Sequence, residues 1–266
     1  MKGARLVAVG AVVVANLLPL ALVVKQAVTP ERESFAWPPT WVPATLTAEN
    51  FRAVASAVEL GQGFALSATV ALLTVLATLA LALPAAWLAA RRPRANRALD
   101  TALTAARLLP AIALAVPLAS IFLALGLYNH PAGLGLWLAH TLVALPFAFF
   151  PLRAAFRAVP VELEEAAVLD GAGPASAFVR VTLPLVRPAL GAAAVLVFLV
   201  SWDEFAYALL LQVTHRPLPP LLYYLAAFGH PGLASAVATI MLAPAVAIVL
   251  LHEPALRGGV LAGSGR

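Results

Sequence analysis

The sequence predicts an all-α integral membrane protein with six transmembrane helices. Hydrophobic residues make up 62% of the 266 positions and charged residues only 11%, whereas a soluble globular domain is about 25% charged. Six apolar stretches are long enough for a helix that crosses the hydrocarbon core, which takes ~20 residues. The bilayer is therefore the natural surrounding for most of the side chains. The predicted spans are residues 6–24, 64–90, 108–127, 133–152, 189–213 and 233–251.

The first apolar stretch is interpreted as a retained membrane anchor. Lys2 and Arg5 precede it, as in a secretory signal peptide, but its apolar run is longer than the hydrophobic region of such a peptide. Cleavage after Ala27 would also place Lys25 where a small residue is needed. The chain is accordingly divided into an N-terminal transmembrane anchor (1–28), an external segment (29–62), a transmembrane domain (63–252) that includes an inner loop (153–188), and a cytoplasmic tail (253–266).

The external segment is predicted to combine an extended loop with a short helix. Its first half is rich in proline, which is typical of irregular, extended backbone. Residues 50–60 lack proline and predict a short surface helix before the second span.

The distribution of basic residues predicts that both termini are cytoplasmic. With a cytoplasmic N-terminus, 13 of the 17 basic residues fall on the inner side of the membrane and 4 fall outside. Loops with an excess of lysine and arginine remain on the cytoplasmic side, so charges next to apolar spans indicate topology and not a nucleic-acid partner. The inner group is Lys2, Arg5, Arg91, Arg92, Arg94, Arg97, Arg107, Arg153, Arg157, Arg180, Arg187, Arg257 and Arg266, and the outer group is Lys25, Arg32, Arg52 and Arg216.

The inner loop contains the start and stop signals of a short helix. Pro160 suits the first helical position, because it has no backbone N–H to leave unpaired. Glu162, Glu164 and Glu165 follow it and complement the positive end of the helix dipole. Gly171 is suited to end the helix, since glycine readily adopts the left-handed conformation of a C-terminal cap.

A second short helix is predicted to start at Pro174 and to end near Leu183 and Pro184. Two short helices joined by a tight glycine turn form a rigid unit, which transmits a push better than a flexible loop does. Ala166 and Ala167 leave a low surface that another protein can approach closely, and the acidic residues at the helix start can be recognised by basic residues of a partner. The alternative is an amphipathic helix that lies on lipid headgroups, which three glutamates near an anionic inner leaflet disfavour.

Seven positions in this loop fall at fixed spacings, in the order Glu-Ala-Ala, three residues, Gly, nine residues, Val, one residue, Leu-Pro. These positions are Glu165, Ala166, Ala167, Gly171, Val181, Leu183 and Pro184. The pattern resembles the EAA loop of the permeases of binding-protein-dependent ABC importers. Val181 stands where isoleucine is usual in that loop.

Three further runs extend the resemblance over nearly the whole chain. Residues 85–91 are similar to the small-residue and aromatic run that ends the second span of maltose-type sugar permeases. Residues 201–205 are similar to their Trp-Asn-Glu-Phe run, with Asp203 in place of asparagine, and residues 257–263 resemble their glycine-rich C-terminal tail. Leu66 departs from the pattern, because asparagine is common at that position, before a serine.

The resemblance implies the type I fold of ABC importer permeases and a place in the inner membrane of a bacterial or archaeal cell. It also implies a homologous second permease, two cytoplasmic ATPase subunits and an external solute-binding protein as partners, with membrane lipid around the spans. ATP is then hydrolysed on the ATPase subunits, no cofactor is expected on this chain, and the solute is expected to be a sugar or oligosaccharide. The residues expected to couple the loop to the ATPases are Glu165, Ala166, Ala167, Asp170, Gly171, Leu183 and Pro184.

The residues themselves argue against ATP binding through a P-loop on this chain. That motif requires a lysine in the pattern G-x-x-x-x-G-K-[ST], and the two lysines, Lys2 and Lys25, lie in no such context. A membrane-embedded enzyme is also disfavoured, since the sequence has no cysteine and no His-Glu-x-x-His motif. The chain is therefore predicted to be a transport subunit and not an enzyme.

Two ionisable residues, Asp203 and Glu204, lie within the predicted fifth span. Charged side chains at such depth are costly and usually face an interior or a water-filled cavity, so with Trp202 and Phe205 they are candidates for the translocation path. The alternatives are a structural hydrogen bond to a neighbouring helix, simple closeness to the membrane interface, and the proton site of an ion-coupled secondary transporter, although no inverted repeat typical of such transporters is found. His140, in the fourth span, is expected to be a hydrogen-bonded polar residue and not a ligand.

Overall fold

The computed structural model describes residues 2–92 and 97–262, with side chains for 5–92 and 97–248. The regular structure of these residues is helical and includes no strand, which confirms the predicted all-α class. The helices are α1 (Lys2–Ala27), α2 (Glu31–Ser34), α3 (Glu49–Ser56), α4 (Val58–Arg91), α5 (Arg97–Leu108), α6 (Ala111–Ala124), α7 (Leu134–Ala158), α8 (Val161–Leu169), α9 (Pro174–Ala177), a π-helical turn (Phe178–Thr182), α10 (Leu183–Leu185), α11 (Arg187–Trp202), α12 (Ala206–Leu211), α13 (Leu218–Ala227) and α14 (Pro231–Ala262).

Six helical segments of the described chain have the length and composition of membrane spans. Four single helices qualify, over Arg5–Ala27, Val58–Arg91, Leu134–Ala158 and Pro231–Ile248. Two bent pairs also pass when the helices of each pair are taken together, namely α5 with α6, bent by 104°, and the α9–α10 region with α11, bent by 78°. Each of the six predicted spans overlaps one of these segments.

Two of the predicted spans are not continuous helices, contrary to the prediction. The predicted span 108–127 contains a bend after Leu108, so its apolar helix α6 has only 14 residues. Pro110 explains this bend, because a proline disfavours helical geometry at the residue before it. The predicted span 189–213 is broken after Trp202, where the side chain of Glu204 accepts hydrogen bonds from backbone N–H groups at the start of α12.

The ends of two predicted segments also differ from expectation. The short external helix predicted at 50–60 is observed as α3, and a break at Ala57 separates it from α4. α14 continues to Ala262, so the predicted tail is helical over residues 253–262. Residues 263–266 lie outside the described residues, as do the side chains of the glycine-rich run at 257–263.

The described chain divides into two compact units, of which the first comprises residues 1–65 and 217–247. In this unit α1 is apolar, and its residues 5–22 are all exposed. Asn50 ties the start of α3 to the end of α1, since its Nδ2 donates to the carbonyls of Ala27 at 2.9 Å and Thr29 at 3.0 Å.

The second unit comprises residues 66–216 and 248–266 and carries the inner loop. Its larger core cluster is formed by α4, α7 and α11 with Leu103 of α5, and its many alanines permit close approach between helices. Its smaller cluster joins α4, α6, α7 and α12. Gly135 lies at the start of α7, where a Cβ would come within 2.6 Å of the Leu127 carbonyl oxygen, so only glycine permits this approach. Arg153 of α7 pairs with Asp100 of α5.

Candidate functional site

The inner loop begins with a helix, α8, that is closed by a glycine turn. α8 starts one residue after Pro160. At its end, the N–H of Gly171 donates to the carbonyl of Val168 at 3.0 Å, and the N–H of Ala172 donates to the carbonyl of Ala167 at 2.9 Å. Gly171 has a φ of 89°, so the chain forms the Schellman turn that pairs the last carbonyls of a helix. The predicted left-handed glycine cap is confirmed.

The second part of the loop is helical from Pro174 to Leu185. The predicted end near Leu183 and Pro184 is confirmed, but the π-helical turn at Phe178–Thr182 was not predicted. We call α8, the Gly171 turn and the segment through α10 the inner hairpin (residues 161–185). The hairpin meets α11 at a bend of 78°, so the chain changes direction sharply where the loop ends.

The seven residues expected to couple the loop lie on two parts of the inner hairpin. Glu165, Ala166, Asp170 and Gly171 are exposed and Ala167 is half-buried. These five share α8 and the turn that ends it. Leu183 and Pro184 lie apart on α10, both half-buried, and Leu183 packs against the larger core cluster. The structure therefore brings five of the seven together on one accessible element.

A largely apolar cleft of about 500 Å³ opens beside α8 and α9. Its apolar walls include Val168 and Leu169 from α8, and Pro174 and Ala177 from α9. Trp87 of α4 also lines it. The cleft leaves apolar side chains of the hairpin accessible to a partner.

Glu164, in α8, is turned inward and is only 9% exposed. Its Oε1 accepts hydrogen bonds from Trp87 Nε1 at 3.1 Å, from Thr182 Oγ1 at 2.7 Å, and from Arg91 Nη2 at 2.6 Å and Nε at 3.1 Å. The prediction that the glutamates of this helix start are free for a partner is therefore wrong for Glu164. Its charge is paired inside the chain, whereas the next residue, Glu165, is exposed.

Arg91, the last residue of α4, bonds to two elements at once. Besides its contact with Glu164, its Nη1 donates to the carbonyls of Phe156 and Val159, each at 3.1 Å. Both carbonyls belong to the end of α7, where the last four carbonyls have no partner within the helix. The Arg91 side chain is 17% exposed, so both the cap and the ion pair are largely removed from water.

The break in the predicted fifth span is held by a second carboxylate. α11 ends at Trp202 and α12 begins at Ala206. Glu204 Oε1 accepts from the N–H of Ala206 at 3.0 Å, and its Oε2 accepts from the N–H groups of Tyr207 at 2.9 Å and Ala208 at 3.3 Å. The side chain thus pairs N–H groups that begin α12, which have no partner within that helix.

Buried polar side chains of α4 and α7 meet next to this break. The Nδ1 of His140 forms a 2.8 Å hydrogen bond with Ser201 Oγ, and its Nε2 lies 3.5 Å from Glu204 Oε2. Ser201 Oγ donates to Thr74 Oγ1 at 3.4 Å. His140 is 3% exposed and Thr74 is fully buried. The prediction that His140 is a hydrogen-bonded polar residue is confirmed.

The four candidates for the translocation path do not share one surface. Asp203 and Phe205 are exposed, whereas Trp202 is buried and stacks on Phe198 with ring centroids 5.4 Å apart. Glu204 is half-buried and its oxygens are occupied by the bonds just described. Of the four, Asp203 and Phe205 have the exposure that contact with a solute requires.

Comparison with known proteins identifies the family of this chain. A family described as the binding-protein-dependent transport system inner membrane component matches residues 80–253. The chain belongs to this family. The matched region contains the inner hairpin, the residues that hold it and the break before α12. It is therefore a permease subunit, and the loop pattern seen in the sequence lies within its family domain.

Several relatives of this permease align over most of their length. The putative ABC transporter permease protein ORF1 of Streptomyces antibioticus is 35% identical over 228 residues, which cover 84% of this chain and 99% of that protein. The trehalose transport system permease protein SugB of Mycobacterium tuberculosis is 31% identical over 230 residues, covering 84% and 83%. The sulfoquinovosyl glycerol transport system permease protein SmoH of Agrobacterium fabrum is 30% identical over 267 residues, covering 98% and 93%.

A solved structure confirms the fold of this permease. A chain of a bacterial ABC transporter involved in the import of the acidic polysaccharide alginate superimposes with a TM-score of 0.75 at 17% identity. The match covers 97% of this chain and 95% of that chain. The predicted type I importer fold is thus confirmed, and the permease is a multi-pass membrane protein. The ion-coupled secondary transporter is not favoured.

Sequence analysis missed the residues that hold the hairpin of this permease. Trp87 entered the sequence analysis only as part of the run that ends the second span, Arg91 entered it as part of that run and as one of the inner basic residues, and Thr182 did not enter it. Arg91 and Glu164 are 73 positions apart, and no local pattern pairs residues at that distance. The sequence did contain a weak indication of an ion pair between them, because a basic residue ends one span and several acidic residues lie in a later inner loop.

The hydrogen bonds of Glu164 change its acidity. Burial of the carboxylate favours the neutral form, but hydrogen bonds from Arg91, Thr182 and Trp87 outweigh it and hold the pKa of Glu164 below its ordinary value of 4.5. A carboxyl group whose pKa is lowered by folding stabilises the folded state above its ordinary pKa. That contribution is lost as the pH falls through the lowered value.

We expect Glu164→Gln to lower the stability of the purified permease at neutral pH by about 1–3 kcal/mol, the cost of leaving a desolvated group without its partner. The stability difference from the wild type should stay constant down to about pH 4.5 and shrink below it. Thermal unfolding in detergent at a series of pH values measures this difference. Glu162→Gln, at an exposed position of the same helix, is the control. A difference that persists unchanged in stronger acid would contradict the role of the Glu164 charge.

Proposed function

We propose that this permease forms half of the translocation path of an ATP-driven importer and that its inner hairpin contacts the ATPase subunits. The observation that carries the proposal is the closed Gly171 turn, which presents Glu165, Ala166 and Asp170 on a rigid, exposed element. Such an element can transmit a displacement, because its two helices cannot swing freely about the turn. ATP hydrolysis is assigned to separate subunits, since the sequence offers no P-loop.

The partners follow from the family. We expect an external solute-binding protein, because the family description itself names one. A homologous second permease and two cytoplasmic ATPase subunits complete the proposed importer. No cofactor is proposed for this chain.

A carbohydrate is the proposed solute. The relatives include permeases named for trehalose, for sulfoquinovosyl glycerol, for alpha-glucosides and for diacetylchitobiose. All four names denote sugars or glycosides. Asp203 and Phe205 suit such a solute, since a carboxylate accepts hydrogen bonds from hydroxyl groups and an aromatic ring packs on a sugar face.

If Asp203 lines the path, Asp203→Asn should retain uptake, because the amide oxygen still accepts hydrogen bonds, whereas Asp203→Lys should abolish most of it. Uptake of labelled disaccharides, including trehalose and maltose, by cells that express each variant at equal membrane levels measures this. Wild-type cells that import none of a broad panel of saccharides would contradict the carbohydrate proposal. Normal transport by Asp203→Lys would instead contradict the place of Asp203 in the path.

The hairpin proposal makes Gly171 a sensitive position. A β-branched residue at a φ of 89° is strained by roughly 1–2 kcal/mol, and relief of that strain turns α9 relative to α8. We expect Gly171→Val, and more mildly Glu165→Lys, to weaken co-purification of the ATPase subunits and to lower uptake in parallel. Gly173→Val is the matched control, because Gly173 has a φ of −67° and open space around it.

The hairpin variants are compared at matched membrane levels, so that an insertion defect is not mistaken for weak docking. If Gly171→Val and Glu165→Lys both retain the ATPase subunits and full uptake, the inner hairpin is not the contact.

The proposed orientation places both termini and the inner hairpin in the cytoplasm. It rests on the 13 to 4 division of the 17 basic residues. In this orientation the anchor (1–28) leads outward, the segment 29–62 is external, and the tail (253–266) is cytoplasmic. The membrane is proposed to be the inner membrane of a bacterial or archaeal cell.

Single-cysteine variants test the orientation directly, since the natural chain has no cysteine to label. Thr40 and Ala175 are both exposed. A cysteine at position 40 should react with a membrane-impermeant thiol reagent in intact cells, and a cysteine at position 175 should react only after the cells are opened. Labelling of position 175 from outside would overturn the orientation and the hairpin proposal with it.

A further inference from the structure

An ion pair connects the inner hairpin to two of the spans. Arg91 ends α4, caps the carbonyls of Phe156 and Val159 at the end of α7, and pairs with Glu164 of the hairpin at 2.6 Å. A guanidinium group has a rigid, planar set of donors, so these bonds fix direction as well as distance. Any displacement of Glu164 therefore acts on α4 and α7 together.

The same carboxylate also joins the two halves of the hairpin. Thr182, in the π-helical turn, donates to Glu164 at 2.7 Å and is fully buried. Phe178 of that turn lies 4.9 Å from the ring of Trp87 in α4 and 5.9 Å from the ring of Phe156 in α7. Polar and aromatic contacts thus connect the hairpin to the same two spans.

These two spans lead to the break before α12. Thr74 of α4 accepts a hydrogen bond from Ser201, and His140 of α7 contacts both Ser201 and Glu204. Ser201 lies in the last turn of α11, directly before the break, and Glu204 lies within the break. The spans that Arg91 holds at their inner ends are therefore the spans that touch the break with buried polar groups.

We propose that Arg91 is a positioning residue for coupling, which passes movement of the inner hairpin through α4 and α7 to the break at 203–205. The proposal rests on the proposed function, because the ATPase subunits supply the movement. Arg91 itself is too buried, at 17% exposure, to be the docking surface. Its loss therefore leaves the exposed face around Glu165 in place while loosening the attachment of the hairpin to the spans.

The test is the amount of solute imported per ATP hydrolysed by the complete importer in liposomes, with its binding protein and a transported solute. Arg91→Gln should retain the ATPase subunits and their hydrolysis but import about fivefold less solute per ATP, or less still, as expected when a coupling free energy of typical size is lost. Arg91→Lys should import an amount of solute per ATP between those of the wild type and Arg91→Gln, since an ammonium group keeps the charge but cannot donate the same paired hydrogen bonds. Arg97→Gln removes the same charge at an exposed position and is the control.

A variant that perturbs the structure less distinguishes a loss of coupling from a folding defect. Thr182→Val removes one hydrogen bond to Glu164 at nearly constant volume, and it should lower the import per ATP less than Arg91→Gln does. If Arg91→Gln does not assemble, this variant decides. An unchanged ratio in every variant that assembles would overturn the role of Arg91.

Gly171→Val in the same assay separates the two proposals. Loss of the ATPase subunits in Gly171→Val, together with an unchanged ratio in the Arg91 variants, would contradict only the further inference. Retention of the ATPase subunits and normal import by Gly171→Val would contradict the hairpin contact itself.

Discussion

Inside a bilayer, a backbone N–H or C=O group that leaves a helix finds no water, so a helix can end there only where another group takes up the bond. Two helix ends in this permease have their backbone groups paired by a charged side chain, one at the inner end of a span and one at the break in the predicted fifth span. Arg91 donates to two carbonyls at the end of α7, and Glu204 accepts from three N–H groups at the start of α12. Charged residues form only 11% of the chain, and these two pair backbone groups that have no partner within their helices.

The residues that pair these helix ends also connect different elements of the structure. A guanidinium group has more donors than two carbonyls require, and the remaining donors of Arg91 pair with Glu164. The cap of one span thus becomes the attachment point of the inner hairpin. Glu204 likewise contacts a second element besides α12, because its Oε2 lies 3.5 Å from Nε2 of His140 in α7. Capping and contact between elements are therefore performed by single side chains, and a change in one affects both.

The two neighbouring glutamates of α8 illustrate how one short helix serves two surfaces. Successive residues of an α-helix point about 100° apart, so Glu164 and Glu165 cannot face the same side. Glu164 is directed toward Arg91 and Trp87, and Glu165 is exposed. The inner residue holds the hairpin to the spans and the outer one is available for a partner. The Gly171 turn, closed by two backbone hydrogen bonds, sets the direction in which the chain leaves α8 toward α9.

The sequence by itself determined the all-α membrane class, the approximate spans and the turn at Gly171. Each depends on residues close together in the chain: the length of an apolar run, or the freedom of one glycine to adopt a positive φ. The tertiary structure alone decided that Glu164 is buried, that His140 meets Ser201, and which candidates for the path are exposed. Arg91 and Glu164 are 73 positions apart, and His140 and Ser201 are 61 apart. A local sequence pattern cannot specify such pairs. Hydrophobic periodicity indicates which face of a helix is buried, but it does not indicate which side chain of another helix a residue contacts.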